Sequence, residues 1–103
     1  ADLRETQWAG ARLTGASLQR ARLQAASLAG VDLQGANLER ADLEAADLRG
    51  ANLAGADLSD ANLSDVDLRD SDLSGARLAG ADLTGARLDG AILDRTVWTD
   101  RRT

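Results

Sequence analysis

The sequence lacks most of the residue types on which catalysis and covalent stabilisation depend. Its 103 residues include no cysteine, proline, methionine, phenylalanine, tyrosine, histidine or lysine. Without cysteine, neither disulfides nor thiolate metal sites contribute to stability. Only carboxylates, hydroxyls and arginines remain for general acid–base or nucleophilic chemistry. The composition therefore predicts a protein that is not an enzyme, and we assign no catalytic residue.

Membrane, nucleotide and nucleic-acid signals are also missing. No apolar run approaches the ~20 residues of a membrane-spanning helix, and the chain does not begin with a basic and then apolar segment. We therefore expect no membrane association and a cytoplasmic location. No GxGxxG or GK pair marks a phosphate loop, and a net charge of −5 with two Trp as the only aromatics disfavours direct nucleic-acid binding. We expect no cofactor and no bound metal.

What the sequence does contain is a strict repeat. Leucine recurs at every fifth position from Leu3 to Leu93, Trp8 being the one substitution, and Trp98 continues the series without insertion or deletion. A small residue, usually Ala, stands two positions before each of these sites, and all ten glycines stand two positions after one. Internal repetition of this kind indicates a solenoid, in which each unit packs mainly on its neighbours.

A five-residue period fits neither a helix nor a flat strand. On an α-helix each step rotates the leucine by about 140°, so the leucines would spiral around every side. In a flat strand an odd step would put successive leucines on opposite faces. Ala51 and Leu53, two residues apart, point the same way as they would in a strand, and the three-residue gap to Ala56 must then contain a corner. A type II turn needs positive φ where the glycines stand, so the chain is predicted to bend inward at each unit.

Tandem units such as ANLAG, ADLSD, ANLSD and ADLTG resemble the bacterial pentapeptide-repeat family, and the resemblance covers essentially the whole chain. It implies an all-β fold, a right-handed quadrilateral β-helix (solenoid) with four units per coil, Leu and Ala inward and the other three positions outward. We assign 1–100 to this β-helix and 101–103 to a C-terminal tail. Twenty units then make about five coils, a rod of roughly 24 Å at the ~4.8 Å strand spacing.

Four units per coil predict that residues twenty apart stack as ladder neighbours. Such exposed pairs fix the register more than they stabilise the fold, at most ~1 kcal/mol each. Three pairs of opposite charge follow from this register: Arg22 over Asp42, Arg40 beside Asp60, and Asp57 beside Arg77.

Acidic and amide side chains just before the leucines allow two interpretations. Carboxylate and amide oxygens are ligands for hard cations, but these residues recur with the repeat, which favours hydrogen bonding at the corners and solvation instead. Representatives are Asp42, Asn52, Asp57 and Asn62.

Charge is concentrated on one of the four sides of the predicted coil. The side built from the units that begin at 1, 21, 41, 61 and 81, called the acidic side below, carries six acids against two arginines, a net charge of −4, whereas each other side has −1. A solvated surface is one interpretation, and a partner-binding surface is the other. The candidate partner-binding residues are Asp42, Glu44, Asp65 and Asp82.

Two functions are compatible with a rod of this kind. The first is a protein-interaction scaffold or spacer module with an unknown protein partner. The second comes from the resemblance, because some members of the family imitate B-DNA and bind type II topoisomerases such as DNA gyrase. Duplex DNA carries one charge per ~1.7 Å, about fourteen over 24 Å, which is far more than this chain offers. We therefore rank the acidic DNA mimic second.

The sequence also predicts which residues form the core and which close the two ends of the coil. Leu53 and Leu58 are predicted to lie in the structural core. Trp8 and Trp98 are predicted to be oversized core residues that seal the terminal coils, with ligand stacking as the alternative. Because bare coil ends expose edge strands, end-to-end self-association is a further expectation.

Overall fold

The backbone coils so that every residue stacks on the residue twenty positions later. The computed structural model describes residues 2–98; this range contains no helix, and therefore no helix that could cross a membrane. Sixteen isolated parallel bridges recur every five residues, from Asp2–Arg22 to Arg77–Val97. The fold is the expected right-handed quadrilateral β-helix, and the bridges Arg22–Asp42 and Asp57–Arg77 confirm the predicted register. The predicted tail, 101–103, lies outside the described residues.

Each coil is hydrogen-bonded to the coil before it and the coil after it. The N–H of each central residue from Leu3 to Leu78 donates to the carbonyl nineteen residues later, as from Leu53 to Asp72 at 2.7 Å. The N–H of the residue before it donates to the carbonyl twenty-one residues earlier, as from Asn52 to Val31 at 2.9 Å. This ladder satisfies the backbone of the inner coils from both directions. Only the first and last coils have an edge without such a neighbour in the described chain.

Corners form at the fifth position of every unit, with or without glycine. The ten glycines have φ between 67° and 75°, but nine other residues adopt φ between 56° and 61° at the same position. A left-handed conformation costs a non-glycine residue about 1–2 kcal/mol, so the coil imposes the corner even where the local sequence does not favour it. These nine residues are Glu5, Arg20, Ala25, Arg40, Ala45, Asp60, Asp65, Asp70 and Arg95.

The core is a stack of inward Leu and Ala residues in the middle coils. Buried apolar residues run from Ala21 to Leu78, and Leu53 and Leu58 have no exposed surface. Ser71 is the buried polar exception in this core, and its hydroxyl donates to the Leu68 carbonyl at 2.7 Å. The leucines of the two end coils are only partly buried because each is covered by one neighbouring coil instead of two.

The two tryptophans are not equivalent. Trp8 is partly buried against the core, and its indole N–H donates to the Thr6 hydroxyl at 2.7 Å. Trp98 is 38% exposed, and Thr96 donates instead to the Leu73 carbonyl. The sequence placed Trp98 in the core. In the structure it lies at the margin of the core, because within the described chain only the preceding coil packs against it.

Candidate functional site

The recurrent Asp and Asn residues before the leucines act as local hydrogen-bond acceptors. In all eleven described units that have one, its Oδ1 accepts the backbone N–H two residues later, at 2.9–3.3 Å. Asp42, Asn52, Asp57 and Asn62 are among them, which supports corner hydrogen bonding over metal ligation. Within residues 2–98, no three Asp or Glu side chains converge as metal ligands would.

On the acidic side, the register brings Asp42 and Asp82 into one column with Asn62 between them. The Asn62 amide donates to Asp42 Oδ1 at 3.2 Å, and the Gln24 amide donates to Asp42 Oδ2 at 2.9 Å. Two neutral amides therefore hold this carboxylate in place without cancelling its charge. Sequence analysis missed both amides, although their offsets of eighteen and twenty residues identify them as neighbours once the coil length is known.

The other three candidate acids lie on the same side. Glu44 is exposed beside Asp42, to which its backbone N–H donates. Asp65 is exposed at a corner with φ of 56°, and its carboxylate lies over Gly85 of the next coil. Asp82 accepts from the Thr84 hydroxyl at 2.7 Å and from the Thr84 N–H at 3.0 Å, and these bonds lower the pKa of Asp82 below its usual range.

The next side of the coil, built from the units that begin at 6, 26, 46, 66 and 86 and called the paired side below, neutralises two of its four acids. Asp47 with Arg49, and Asp67 with Arg69, form two-point ion pairs with distances of 2.7 and 2.9 Å. By contrast, none of the four candidate acids has an arginine within 4.0 Å in the described structure. In the described structure five of the six acids of the acidic side therefore have no arginine partner, whereas the paired side pairs two of its four acids.

Ion pairing also restricts where on the acidic side this charge lies. Near the N-terminal end, Arg4 pairs with Asp2 through two contacts of 2.7 and 2.8 Å. Arg4 and Arg22 are the only arginines of this side, and both precede Asp42 in the coil stack. Apart from Glu5 in the first coil, the unpaired acids of this side lie in the three later coils, at Asp42, Glu44, Asp65 and Asp82.

Acid should weaken the fold through the paired side. Hydrogen bonds from Arg69 lower the pKa of Asp67 from 3.8 to about 2. A carboxylate with a lowered pKa in the folded state stabilises the fold above the unfolded value, and this contribution disappears as pH falls from 3.8 toward 2. We expect the melting temperature to drop over this interval. The Asp67→Asn variant should drop less steeply in thermal melts followed by circular dichroism, and an equally steep decline would contradict the assignment.

Comparison with known proteins identifies the fold and several relatives. A family model described as pentapeptide repeats matches residues 1–35, 26–65 and 61–97. The chain is 39% identical to Rfr23, a pentapeptide repeat protein from the cyanobacterium Cyanothece 51142, with a TM-score of 0.83 over 94% of this chain and 63% of that one. It is 35% identical to a pentapeptide repeat protein from the Arabidopsis thaliana thylakoid lumen, with a TM-score of 0.85 over 87% of this chain and 63% of that one.

A more distant structure shares the fold alone. Trypsin-treated QnrB1, a plasmid-mediated fluoroquinolone resistance protein, is 23% identical, with a TM-score of 0.50 over 92% of this chain and 54% of that one. Among curated protein sequences, none matches. The chain spans less than two thirds of the length of each of these three solved relatives.

Proposed function

Because this chain belongs to the pentapeptide-repeat family, we propose that it is a rigid, non-catalytic scaffold or spacer that binds a protein partner through its acidic side. The support is the contrast between two neighbouring sides of one coil. Asp47 and Asp67 of the paired side are neutralised by arginines of their own units, whereas none of the four candidate acids, Asp42, Glu44, Asp65 and Asp82, has such a partner in the described structure. We place this function in the cytoplasm, although one relative comes from the thylakoid lumen.

The carboxylates of the acidic side favour a partner with a basic surface. Unpaired carboxylates on a rigid surface attract a basic protein surface, and such attraction speeds association and selects against acidic partners. The hydrogen bonds from Gln24, Asn62 and Thr84 hold two of these carboxylates in fixed positions. A partner whose arginines match this spacing therefore loses less conformational entropy than it would against mobile side chains.

An oligo-arginine peptide tests the acidic side directly. We expect fluorescence anisotropy to show binding that weakens as NaCl is raised, because exposed charges are screened over ~8 Å at physiological salt. The variant with Asp42→Asn, Glu44→Gln, Asp65→Asn and Asp82→Asn should lose most of this affinity. Circular dichroism should show that it stays folded, because all four changes are at outward positions.

A matched variant distinguishes the effect of the acidic side on binding from the effect of the total charge. Neutralising four acids on the remaining two sides removes the same charge but leaves the acidic side intact. These changes are Asp32→Asn, Glu39→Gln, Asp72→Asn and Asp94→Asn. We expect this control to bind the peptide nearly as well as the wild type. Equal losses in both variants would show that only net charge matters, and the proposed binding surface would be wrong.

The alternative function is imitation of DNA toward a type II topoisomerase such as DNA gyrase. Its support is an acidic side on a fold that QnrB1 shares. The charge density argues against it, since duplex DNA has one charge per ~1.7 Å and the acidic side has six acids over five coils. We expect no inhibition of gyrase supercoiling at low micromolar concentration. Potent inhibition that the acidic-side variant loses would make DNA mimicry the better proposal.

A further inference from the structure

Three arginines meet where the acidic side joins the side built from the units that begin at 16, 36, 56, 76 and 96. Arg20 and Arg40 occupy this corner one coil apart, and Arg22 is the first outward residue after Arg20 on the acidic side. All three side chains are exposed, and they are called the basic corner below. Arg22 and Arg40 belong to the second coil, so the residues that stack on them from both directions are part of the described structure.

Arg22 has no acid that is free to pair with it. It lies between Asp2 and Asp42 in one column of bridges. Asp2 is held by two contacts from Arg4, and Asp42 is held by the two amides described above. In the described structure neither carboxylate comes within 4.0 Å of the Arg22 guanidinium. Its hydrogen-bond donors are therefore available to a partner.

Arg40 also lacks an ion pair, although the register places Asp60 beside it. The carboxylate of Asp60 lies over Gly80 of the next coil, where there is room because glycine has no Cβ. It therefore points away from Arg40, and the described structure has no contact within 4.0 Å between the two charges. In the other direction Arg40 stacks on Arg20, and like charges directly opposite each other destabilise a sheet.

The two corner arginines also have an unfavourable backbone conformation. Arg20 and Arg40 have φ of 59° and 61°, whereas ten other corners have glycine. Glycine would avoid both the left-handed conformation and the repulsion between the two side chains. Among the corners of residues 2–98, this is the one stacked pair of like charge. Residues held against such local costs cluster at sites that contact ligands.

The sign of the surface charge changes at the same level in two neighbouring columns. Arg22 is followed one coil later by Asp42, and Arg40 is followed by Asp60. Both changes fall between the second and third coils, so the basic corner borders the unpaired acids of the acidic side. At ~4.8 Å per coil, Asp82 lies about 14 Å from Arg22 along the rod.

From these observations we propose that the partner of the acidic side also carries acidic residues, which pair with the basic corner and fix the direction of the partner along the rod. This inference rests on the proposed binding of a basic surface by the acidic side. A uniformly basic partner would be repelled at Arg22 and Arg40. A partner that is acidic beside the second coil and basic beside the later coils satisfies both regions, and reversing it would bring like charges together.

The basic corner has room for an acidic side chain. An open depression of about 400 Å³ lies beside it, lined by Gln19, Arg20 and Glu39. Guanidinium groups can bind a carboxylate through two parallel hydrogen bonds. Glu39 does not come within 4.0 Å of an arginine in the described structure. Three arginines against this one acid leave the corner and its depression with a net charge of +2.

Two peptides of identical composition test the inference by fluorescence anisotropy. The block peptide has a run of glutamates followed by a run of arginines, and the alternating peptide has the same residues in alternation. At ~3.3 Å per residue, four or five extended residues cover the distance of about 14 Å between Arg22 and Asp82. We expect the block peptide to bind about fivefold more tightly, which corresponds to one well-formed exposed ion pair. Equal affinities would overturn the proposal.

A double variant shows whether the basic corner causes this preference. Arg22→Gln combined with Arg40→Gln should bind both peptides equally well. The matched control, Arg77→Gln combined with Arg87→Gln, removes the same charge at exposed positions on other sides and should keep the preference. Circular dichroism should show that both variants are folded, because all four arginines are exposed. A preference that survives in the first variant, or that disappears in both, would show that the basic corner is not the contact.

A spin label measures the direction of binding in the wild type itself. A nitroxide on the glutamate end of the block peptide should broaden the amide NMR signals of Arg22 and Arg40. On the arginine end it should instead broaden those of Asp82 and Thr84. The same broadening from both ends would mean that the peptide binds in both directions, and the proposal would be wrong.

The oligo-arginine peptide distinguishes failure of this inference from failure of the proposed function. If that peptide does not bind the wild type, or binds the acidic-side variant equally well, the acidic side is not a binding surface and the inference fails with it. If it binds as expected but the block peptide has no advantage, the inference alone fails. The variant with Arg22→Gln and Arg40→Gln should bind oligo-arginine at least as tightly as the wild type, because two repelling cations are removed.

Discussion

Leu53→Ala is expected to lower the free energy of unfolding by about 2–5 kcal/mol, as for other fully buried leucines. Leu53 has no exposed surface, and coils on both sides of it contribute leucines to the same stack. Removing its side chain leaves a cavity that the rigid ladder cannot close, because the neighbouring backbones are held by hydrogen bonds of 2.7 and 2.8 Å. Leu58→Ala should behave in the same way. Urea denaturation gives the free energies.

Ser59→Ala is the matched control for Leu58→Ala, because it changes the adjacent outward position. Ser59 is half-buried; its backbone N–H donates to Asp57 at 3.0 Å, which the alanine variant keeps, and only the hydroxyl contact that lowers the pKa of Asp57 is lost. We expect a change within about 0.5 kcal/mol, as for other surface substitutions. Equal costs for Leu58→Ala and Ser59→Ala would contradict the inward and outward assignment on which the whole fold rests.

The repeat and the family resemblance together were sufficient to predict most of the fold. A period of five with Leu and Ala two residues apart excludes helix and flat strand, and the family resemblance then gave four units per coil. Once this number is known, the bridges from Arg22 to Asp42 and from Asp57 to Arg77 follow by counting twenty residues. The corner role of Asp42 and Asn62 was also predictable, because it depends only on a side chain and the backbone two residues further along.

Features that depend on side-chain geometry were not predictable. Arg49 pairs with Asp47 within its own unit, whereas Asn62 donates to Asp42 across coils. These contacts determine which acids lie beside a cation and which do not. Local sequence also suggested that glycine defines the corners, yet Asp65 adopts positive φ at the same position of its unit as Gly55, because the ladder fixes both. The exposure of Trp98 depends on what lies beyond it, which a repeat pattern cannot specify.

The largest single-residue effect should come from a charge placed at an inward alanine. Ala51 is 1% exposed and lies in the same column as Ser71, twenty residues later. Ala51→Asp would bury a carboxylate with no cation near it, and an uncompensated buried charge costs about 3–5 kcal/mol. Ala51→Ser should be close to neutral, because its hydroxyl can donate to the Leu48 carbonyl as Ser71 donates to Leu68 at 2.7 Å.

The pH dependence of the Ala51 variants distinguishes the stability cost of a buried charge from the cost of a side chain that is too large for the site. Burial raises the pKa of a carboxyl group above its unfolded value of ~3.9. Below that value the introduced carboxyl group would be neutral in both states, and as pH rises the unfolded state gains charge that the folded state resists, so stability falls. Ala51→Asn has nearly the same shape and does not titrate at this position. We therefore expect urea denaturation to show a small stability difference between Ala51→Asp and Ala51→Asn near pH 4 and a much larger one at pH 7. A difference that does not change with pH would mean that the side chain escapes to solvent, and position 51 would then not face the closed interior of the coil.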